Sequence, residues 1–358
     1  MYPWDRPLRA HFRRYPLMEA RDAVKLLYQA TLGPGHLVAN PDDCLRRLSE
    51  ERAAVGDRPG CPLTEEIGGG FVRLNLRAMS EAGLAEQTAA RLFIRAGRES
   101  GSKEALLAAL ASLRSLAKAG EAPFPSLEVE RQAEALAQSG YAPVSHSEAY
   151  RRAYGPAYRV IDRDEASFLP LFCAVDRRIA AGKRAVLAID GPCGSGKTTL
   201  ADLLADVYGC GVVRMDDFFL PAALRTAERL DTPGGNIHAE RFLDEAGPCL
   251  REKKGFSYRA FDCKKQAMGA ERTVKDHPLT VVEGSYSLRR DFRPLYDLTV
   301  FLTLSPEEQR ARLLRRNGPA AAIFFDRWIP LENMYFAAEQ PEKYCDFLFG
   351  PGDFEYNL

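Results

Sequence analysis

The sequence predicts two domains: a mainly α-helical domain over residues 1–165 and an α/β domain with a parallel sheet over residues 166–358. Two observations lead to this division. The first part contains Ala- and Leu-rich stretches with the periodicity of amphipathic helices. The second part alternates short apolar runs with helical patterns, which is typical of a parallel sheet covered by helices on both faces. A chain of 358 residues is long enough for two such domains.

The helices of the first part are recognised by their apolar faces and their ends. Residues 18–33 carry apolar side chains on one face and finish at a glycine, and residues 80–97 repeat this pattern. A third helix has Ser102 as its expected N-cap and Gly120 as its expected end. After a proline-containing break, residues 127–140 predict a fourth helix.

The strands of the second part are expected at runs rich in Val, Leu and Ile. A helix, "FLPLFCAVDRRIAAG", is expected before the first of them. In chain order the runs are "RAVLAID", "CGVVRMD", "LTVVEGSY" and "YDLTVFLTL". Because continuous apolar strands are buried on both faces, they predict a parallel sheet.

Charge and cysteine usage exclude several classes of protein. Lys plus Arg equals Asp plus Glu, at 49 each, so we expect neither nucleic acid nor an anionic membrane as the main partner. We find no membrane-spanning run, and no apolar core of a signal peptide near the first residue. The eight cysteines form no CxxC pair, which favours reduced thiols and a cytoplasmic location. The oligomeric state is not predicted.

A glycine-rich turn follows the first strand and precedes a helix. "GPCGSGKT" matches G-x-x-x-x-G-K-[ST], the phosphate loop (P-loop) of nucleoside triphosphate-binding proteins, in the required context. Glycines let the backbone wrap an anion, and the helix N-terminus directs partial positive charge at it. We expect ATP to bind at Gly191, Pro192, Cys193, Gly194, Ser195, Gly196, Lys197, Thr198 and Thr199. Lys197 would reach the β- and γ-phosphates, and the Thr198 hydroxyl would ligate Mg²⁺.

Acidic residues follow two other strands of the predicted sheet. Asp216 and Asp217 come after the second strand, where ligands of an open α/β sheet collect, and either could accept a hydroxyl proton. Glu283 ends the third strand, where a carboxylate beside the phosphate loop would hold Mg²⁺ and its water. These positions suggest phosphoryl transfer, whereas the loop alone is compatible with a kinase, a GTPase switch or a motor ATPase.

The second part resembles the uridine kinase and phosphoribulokinase group of P-loop kinases nearly end to end. The motifs that carry the resemblance are "IDGPCGSGKTTLA", "MDDFF", "TPGGNIHAERF", "YRAFDC", "VVEGSY", "YDLTVFLTL" and "RLLRRNG…FFDRWIP". The resemblance implies a P-loop NTPase fold with an arginine-rich lid, and an ATP- and Mg²⁺-dependent kinase of a small hydroxyl-bearing substrate. It assigns the catalytic base to Asp216 and the acid after the third strand to Glu283. The lid arginines fall on Arg312, Arg315 and Arg316, of which Arg315 is the expected catalytic partner of Lys197.

The phosphoryl acceptor is expected to be a nucleoside-like metabolite, as in uridine kinase. His238 stands near the position where nucleoside kinases of the group hold the ribose hydroxyls with an acid. The resemblance adds substrate contacts on a hairpin, at Tyr258, Arg259, Phe261 and Asp262, with Arg312 and Arg316 closing the site. Two alternatives stay open: another acceptor (nicotinamide riboside, pantothenate or a sugar), or a regulatory protein that uses ATP as a switch.

The first domain resembles an N-terminal extension of bacterial uridine-kinase-like proteins whose role is unassigned. It contains two glycine-rich turns, one with His36 and one between Glu65/Glu66 and Arg73. A later segment gathers His146, Tyr150, Arg151 and Tyr154. The simpler interpretation is that these are ordinary loop and helix-face residues. The alternative interpretation is a second ligand site that regulates or supplies a kinase.

Overall fold

The structure is a computed structural model that describes residues 4–38, 40–98 and 101–350. Its contacts divide the chain into two compact units, Met1–Asp176 and Arg177–Leu358. The domain boundary between residues 165 and 166 stays a prediction. None of the described helices combines the length and the apolar character that a membrane crossing requires.

The first unit is mainly helical, as the sequence predicts. Its α-helices are α1 (Asp5–Arg14), α2 (Ala20–Leu32), α3 (Pro41–Val55), α4 (Met79–Ala82), α5 (Glu86–Ala96), α6 (Lys103–Lys118), α7 (Ser126–Gln138), α8 (Glu148–Tyr154), α9 (Arg163–Ala166) and α10 (Leu169–Ala180), which runs past the division between the units. The expected N-cap of α6 is present, because the Ser102 Oγ accepts a hydrogen bond of 3.1 Å from the Ala105 amide. The single helix expected over residues 80–97 is interrupted at Gly83, whose φ of 71° ends α4.

The first unit also contains a three-stranded antiparallel sheet that the sequence patterns do not predict. Its strands, in the spatial order β1-β2-β3, are β1 (Thr64–Glu66), β2 (Phe71–Asn75) and β3 (Tyr158–Asp162). β1 and β2 are short strands that follow each other closely in the sequence. β3 lies much later in the chain and pairs with β2 from Phe71↔Asp162 to Asn75↔Tyr158. Sequence patterns are read over short stretches of neighbouring residues, so they do not reveal a strand pairing between residues this far apart.

The second unit is built on a five-stranded parallel sheet, in the order β10-β9-β4-β8-β5. Its strands are β4 (Ala185–Asp190), β5 (Gly211–Arg214), β8 (Leu279–Glu283), β9 (Leu298–Leu302) and β10 (Phe347–Phe349), with a separate hairpin of β6 (Phe256–Asp262) and β7 (Ala267–Val274). Its α-helices beyond α10 are α11 (Lys197–Tyr208), α12 (Ala227–Leu230), α13 (Ala239–Glu245), α14 (Gly247–Glu252), α15 (Pro306–Asn317) and α16 (Ile329–Glu339). The predicted parallel sheet with flanking helices is confirmed.

The apolar runs explain the sheet directly. Every residue of the central strand β4 is buried, as expected for a strand covered on both faces. The strands are parallel, so their carboxyl ends meet at one edge, where the chain leaves β4, β5 and β8.

The last residue of β4, Asp190, connects three segments behind that edge. The side chain is fully buried. Its Oδ1 accepts hydrogen bonds from the amides of Gly191 (2.7 Å) and Tyr286 (3.1 Å). Its Oδ2 accepts from the Leu288 amide (2.9 Å) and the Tyr335 hydroxyl (2.8 Å). Burial raises the pKa of Asp190 to about 6, although these donors and the Lys197 charge oppose the rise.

We expect Asp190→Asn to destabilise the second unit. An amide group at this position puts an N–H₂ against buried donors, and each buried donor left without an acceptor costs about 1–3 kcal/mol. Urea unfolding of the full chain measures the change in the free energy of unfolding. The control is Asp244→Asn, an exposed carboxylate on α13, which should stay within about 0.5 kcal/mol of the parent. Equal stability of the two variants would contradict the role of Asp190.

Candidate active site

The glycine-rich turn of residues 191–196 lies between β4 and α11. Gly196 is the N-cap of α11 and has φ of 102°, a backbone conformation that side chains disfavour. A Cβ on Gly191 would lie 2.3 Å from the Leu302 carbonyl oxygen, so only glycine fits there. The first amides of α11 have no acceptor within the helix, and its dipole adds partial positive charge at this end. The turn is therefore an anion-binding cradle.

Lys197 and Ser195 add side chains to this cradle. The buried Lys197 donates from Nζ to the carbonyl oxygens of Gly191 (2.7 Å) and Pro192 (3.0 Å), so its ammonium lies over the loop. The Ser195 Oγ is buried and makes no hydrogen bond with the described residues. An unpaired buried hydroxyl at the centre of the loop suits an anionic ligand. Cys193, Gly194, Gly196, Lys197, Thr198 and Thr199 line the adjoining cleft.

An oxygen pair suited to Mg²⁺ lies beside the cradle. The Thr198 Oγ1 is 3.4 Å and 3.5 Å from the two carboxylate oxygens of Glu283. Glu283 is buried and pairs with Arg214 at 2.8 Å. Burial raises the pKa of Glu283, and the Arg214 charge opposes that rise. A hydroxyl and a carboxylate are ligands that Mg²⁺ accepts together with phosphate oxygens; among the described residues, no cluster of three or more His, Cys, Asp or Glu offers a separate metal site.

The two adjacent aspartates after β5 have different surroundings. Asp217 is buried and engaged, since its Oδ2 accepts from the Tyr258 hydroxyl at 2.8 Å and pairs with Arg272 at 3.0 Å. Asp216 is exposed to the cleft and lines it together with Lys197 and Glu283. Although solvent reaches Asp216, the cleft walls crowd it, and this desolvation raises its pKa against the opposing charge of Lys197. Asp216 is thus the carboxylate available to a ligand.

The cleft itself has a volume of about 960 Å³ and is lined by all three lid arginines. Arg312, on α15, pairs with Glu308 at 2.5 Å and lies 3.4 Å from the Gly194 carbonyl oxygen. Arg315 and Arg316 are exposed on the same helix. The structure therefore brings the phosphate loop, Asp216, Glu283 and the lid arginines into one cleft.

The expected acceptor residues of the hairpin do not line this cleft. Tyr258 is buried behind it on Asp217, and Phe261 is buried as well. Arg259 donates to the Met268 and Gly269 carbonyls across the hairpin. The Asp262 Oδ1 accepts from the amides of Lys264 and Lys265, which closes the turn. From this hairpin it is Cys263 that lines the cleft.

His238 also lies outside the set of described residues that line the cleft. It is the N-cap of α13: its Nδ1 accepts from the Arg241 amide at 3.3 Å and lies 3.2 Å from Glu240. Its immediate contacts are those of a helix-start residue.

The structure adds cleft residues that the sequence patterns do not single out. Asn236 is 4% exposed and lines the cleft; its amide group lies near the Tyr286 hydroxyl, but it makes no hydrogen bond of standard geometry with a described residue. The rings of Phe219 and Trp328 lie 5.8 Å apart at 33°. Glu332 accepts from the Cys193 amide (2.9 Å) and the Ser285 hydroxyl (2.6 Å), which fixes the phosphate loop. The "NIH" segment contains Asn236, but its sequence does not tell which of its side chains faces the cleft.

Comparison with known proteins finds solved structures but no matching family model and no matching curated protein. A structure of a possible uridine kinase from Bacillus stearothermophilus is 25% identical, with a TM-score of 0.37, and the match covers 50% of this chain and 98% of that chain. A proposed fructose transport system kinase from Silicibacter sp. TM1040 is 22% identical, over 47% and 90% of the two chains, with a TM-score of 0.33. Shikimate kinase from Bacteroides thetaiotaomicron is 15% identical, over 48% and 89%, with a TM-score of 0.25.

These structures are described as kinases, one of them as a possible uridine kinase. Each match spans about half of this chain. Because every TM-score lies below 0.5, the function is inferred below from the geometry of the site.

Proposed function

We propose that the chain is an ATP-dependent kinase that transfers the γ-phosphoryl group to a hydroxyl of a small metabolite. One observation carries the proposal: Asp216 lies free in the cleft that also contains the phosphate loop. A nucleotide switch needs the loop and a metal ligand, but it has no use for a second carboxylate open to an acceptor.

The nucleotide side of the site comes from the loop and its neighbours. The amides of the turn and the Lys197 ammonium hold the β- and γ-phosphates, and the lid arginines offset charge on the transferred group. Thr198 and Glu283 are the residues that would hold Mg²⁺, which neutralises phosphate charge when bound. The three arginines lie on α15 and line the same cleft as Glu283.

Asp216 acts as the general base of the reaction. The acceptor hydroxyl gives its proton to the Asp216 carboxylate as its oxygen forms a bond to the γ-phosphorus. The bond between that phosphorus and the β–γ bridging oxygen breaks, and ADP leaves with the electron pair. Asp217 takes no part in the transfer, because Tyr258 and Arg272 already occupy its carboxylate.

The acceptor that fits best is nucleoside-like. The tilted pair of Phe219 and Trp328 offers apolar ring faces to a planar base. Asn236 lies near the Tyr286 hydroxyl, and its side-chain amide keeps donor and acceptor capacity for a base edge or a sugar hydroxyl. Nicotinamide riboside shares this combination of ring and hydroxyls, whereas pantothenate and sugars lack the planar ring.

We expect ATP consumption by the full chain to depend on an added small acceptor. A panel of uridine, cytidine, nicotinamide riboside, pantothenate and sugars, assayed by ADP release, identifies it. Lys197→Ala should reduce turnover severely because it removes the charge opposite the β- and γ-phosphates. Lys183→Ala, an exposed lysine of the same unit, is the control and should leave turnover unchanged. If no acceptor accelerates ADP release, the kinase proposal fails and an ATP switch takes its place.

We expect Asp216→Asn to lower kcat by about 10²-fold or more, because the amide keeps the shape but cannot accept the proton. Asp217→Asn keeps an acceptor for Tyr258 and should change kcat far less. The pKa of Asp216 is raised and only its ionised form acts, so on acidification activity should fall at a pH above the usual ~3.9 of an aspartate. A pH profile of kcat/KM measures this loss of activity at acidic pH. A dead Asp217→Asn beside an active Asp216→Asn would reverse the assignment.

We expect Asn236→Ala to lower kcat/KM for the acceptor by about 10- to 100-fold, since it removes hydrogen bonds worth roughly 1.5–3 kcal/mol together. The KM for ATP should change little. Steady-state kinetics with each substrate varied in turn separates the two effects. Asn333→Ala, an exposed asparagine on α16, is the matched control. An equal loss for ATP and acceptor would place Asn236 outside the acceptor site.

A further inference from the structure

The first unit contains a cavity of its own, with a volume of about 380 Å³. Four arginines line it, Arg14, Arg58, Arg73 and Arg77, and one carboxylate, that of Glu65. The lining charges therefore leave a surplus of three positive charges. Such a cavity attracts an anion.

Arg73 is fixed at the base of this cavity. It is 2% exposed, and its guanidinium donates to the Gln29 Oε1 (2.9 and 3.2 Å) and to Glu65 (3.1 Å). The same guanidinium lies 4.4 Å from the centre of the Tyr158 ring. These contacts set the orientation of a buried positive charge before any ligand arrives, which reduces the cost of binding.

Glu65 cannot neutralise the whole cavity. Its carboxylate accepts from the Tyr15 hydroxyl and pairs with Arg73, and Arg14 lies at 3.4 Å. Arg77 donates to the Val55 carbonyl oxygen, which carries no net charge. Arg58 is exposed and has no carboxylate within ion-pair distance among the described residues.

One wall of the cavity is aromatic. The rings of Tyr15, Tyr150 and Tyr154 are 4.9–5.2 Å apart in all three pairs. His146 lies behind this wall, stacked on Tyr150 at 4.3 Å. Its Nδ1 contacts Asp22 at 2.8 Å and its Nε2 contacts the Tyr158 hydroxyl at 2.6 Å, so hydrogen bonds at both nitrogens fix the imidazole that packs against the wall.

We propose that this cavity binds a small organic phosphate with a planar ring. A phosphomonoester carries about −1.5 to −2 charges near neutral pH, and its three oxygens accept several guanidinium hydrogen bonds. It matches the surplus of three positive charges better than a monocarboxylate does. The tyrosine wall provides contacts for the ring. The proposal is independent of the kinase reaction, since it rests on residues of the first unit alone.

The structure also separates the residues that the sequence grouped in this domain. Glu65, Arg73, Tyr150 and Tyr154 line the cavity, whereas Arg151 and His36 are absent from the described lining. His36 contacts Tyr28 edge-on at 5.6 Å. The ligand site is therefore assembled from α1, β1, β2, α8, the start of β3 and the segments next to β1 and β2 that contain Arg58 and Arg77, and not from the glycine-rich turn around His36.

The test is calorimetric titration of the full chain with phenyl phosphate, benzoate and phenol, three probes that share one ring and differ in charge. Wild-type protein should bind phenyl phosphate most tightly and phenol not at all. Arg14→Gln/Arg58→Gln should weaken phenyl phosphate binding about tenfold or more, because each substitution removes charge-assisted hydrogen bonds to the phosphate. Arg47→Gln, an exposed arginine on α3, is the matched control and should bind as wild type does. Thermal unfolding checks that each variant is folded.

Lys197→Ala distinguishes this cavity from the phosphate loop. Binding of phenyl phosphate should survive that substitution, whatever becomes of ATP consumption. The proposal is wrong if phenyl phosphate binds wild type and the double arginine variant equally, or if it does not bind at millimolar concentration. Benzoate binding as tightly as phenyl phosphate would overturn the assignment of a phosphate ligand.

Discussion

The buried carboxylate of Asp190 is the constraint on which the candidate active site depends. It ends the central strand β4 and accepts four hydrogen bonds from segments far apart in sequence. One bond fixes the start of the phosphate loop, two fix the turn after β8, and one fixes α16 through Tyr335. Tyr286, in that turn, has φ of 75°, a strained backbone conformation for a tyrosine that its surroundings must maintain. One side chain therefore positions the phosphate loop, the turn after β8 and α16.

Around this anchor, the described lining of the cleft contains six basic and four acidic side chains, so positive charge is in excess. Lys197 lies over the loop, while Glu283 and Asp216 face it. Arg214 compensates Glu283 directly at 2.8 Å, which leaves Asp216 as the carboxylate without an arginine partner in the described contacts. A carboxylate with a raised pKa beside a phosphate cradle is suited to accept a proton. Under the proposed function, the different pairing of the two carboxylates separates metal binding from proton transfer.

The parts of the structure that sequence reasoning could predict are those encoded by neighbouring residues. The four apolar runs, the phosphate loop and the Ser102 cap depend on local patterns, and the structure contains each of them. The antiparallel sheet of the first unit depends on β3 returning to β2, and no local window contains that information. The acceptor residues are hard to predict for a related reason, and the expected set stays a prediction. Whether Asn236 or His238 faces the cleft is decided by how α13 starts, and there His238 caps the helix.

The two sites handle phosphate in different ways, and this difference bears on their roles. The phosphate loop uses backbone amides and one lysine, and it has Asp216 open to the same cleft, so a proton can leave the acceptor there. The cavity of the first unit uses guanidinium groups on a fixed aromatic wall, and its one carboxylate is already engaged by Tyr15 and Arg73. No free base lies among its described lining residues, because the tyrosines are neutral and Glu65 is paired. A site with many donors and no available proton acceptor can hold a phosphorylated ligand without reacting with it. This cavity therefore suits recognition, and the cleft of the second unit suits chemistry.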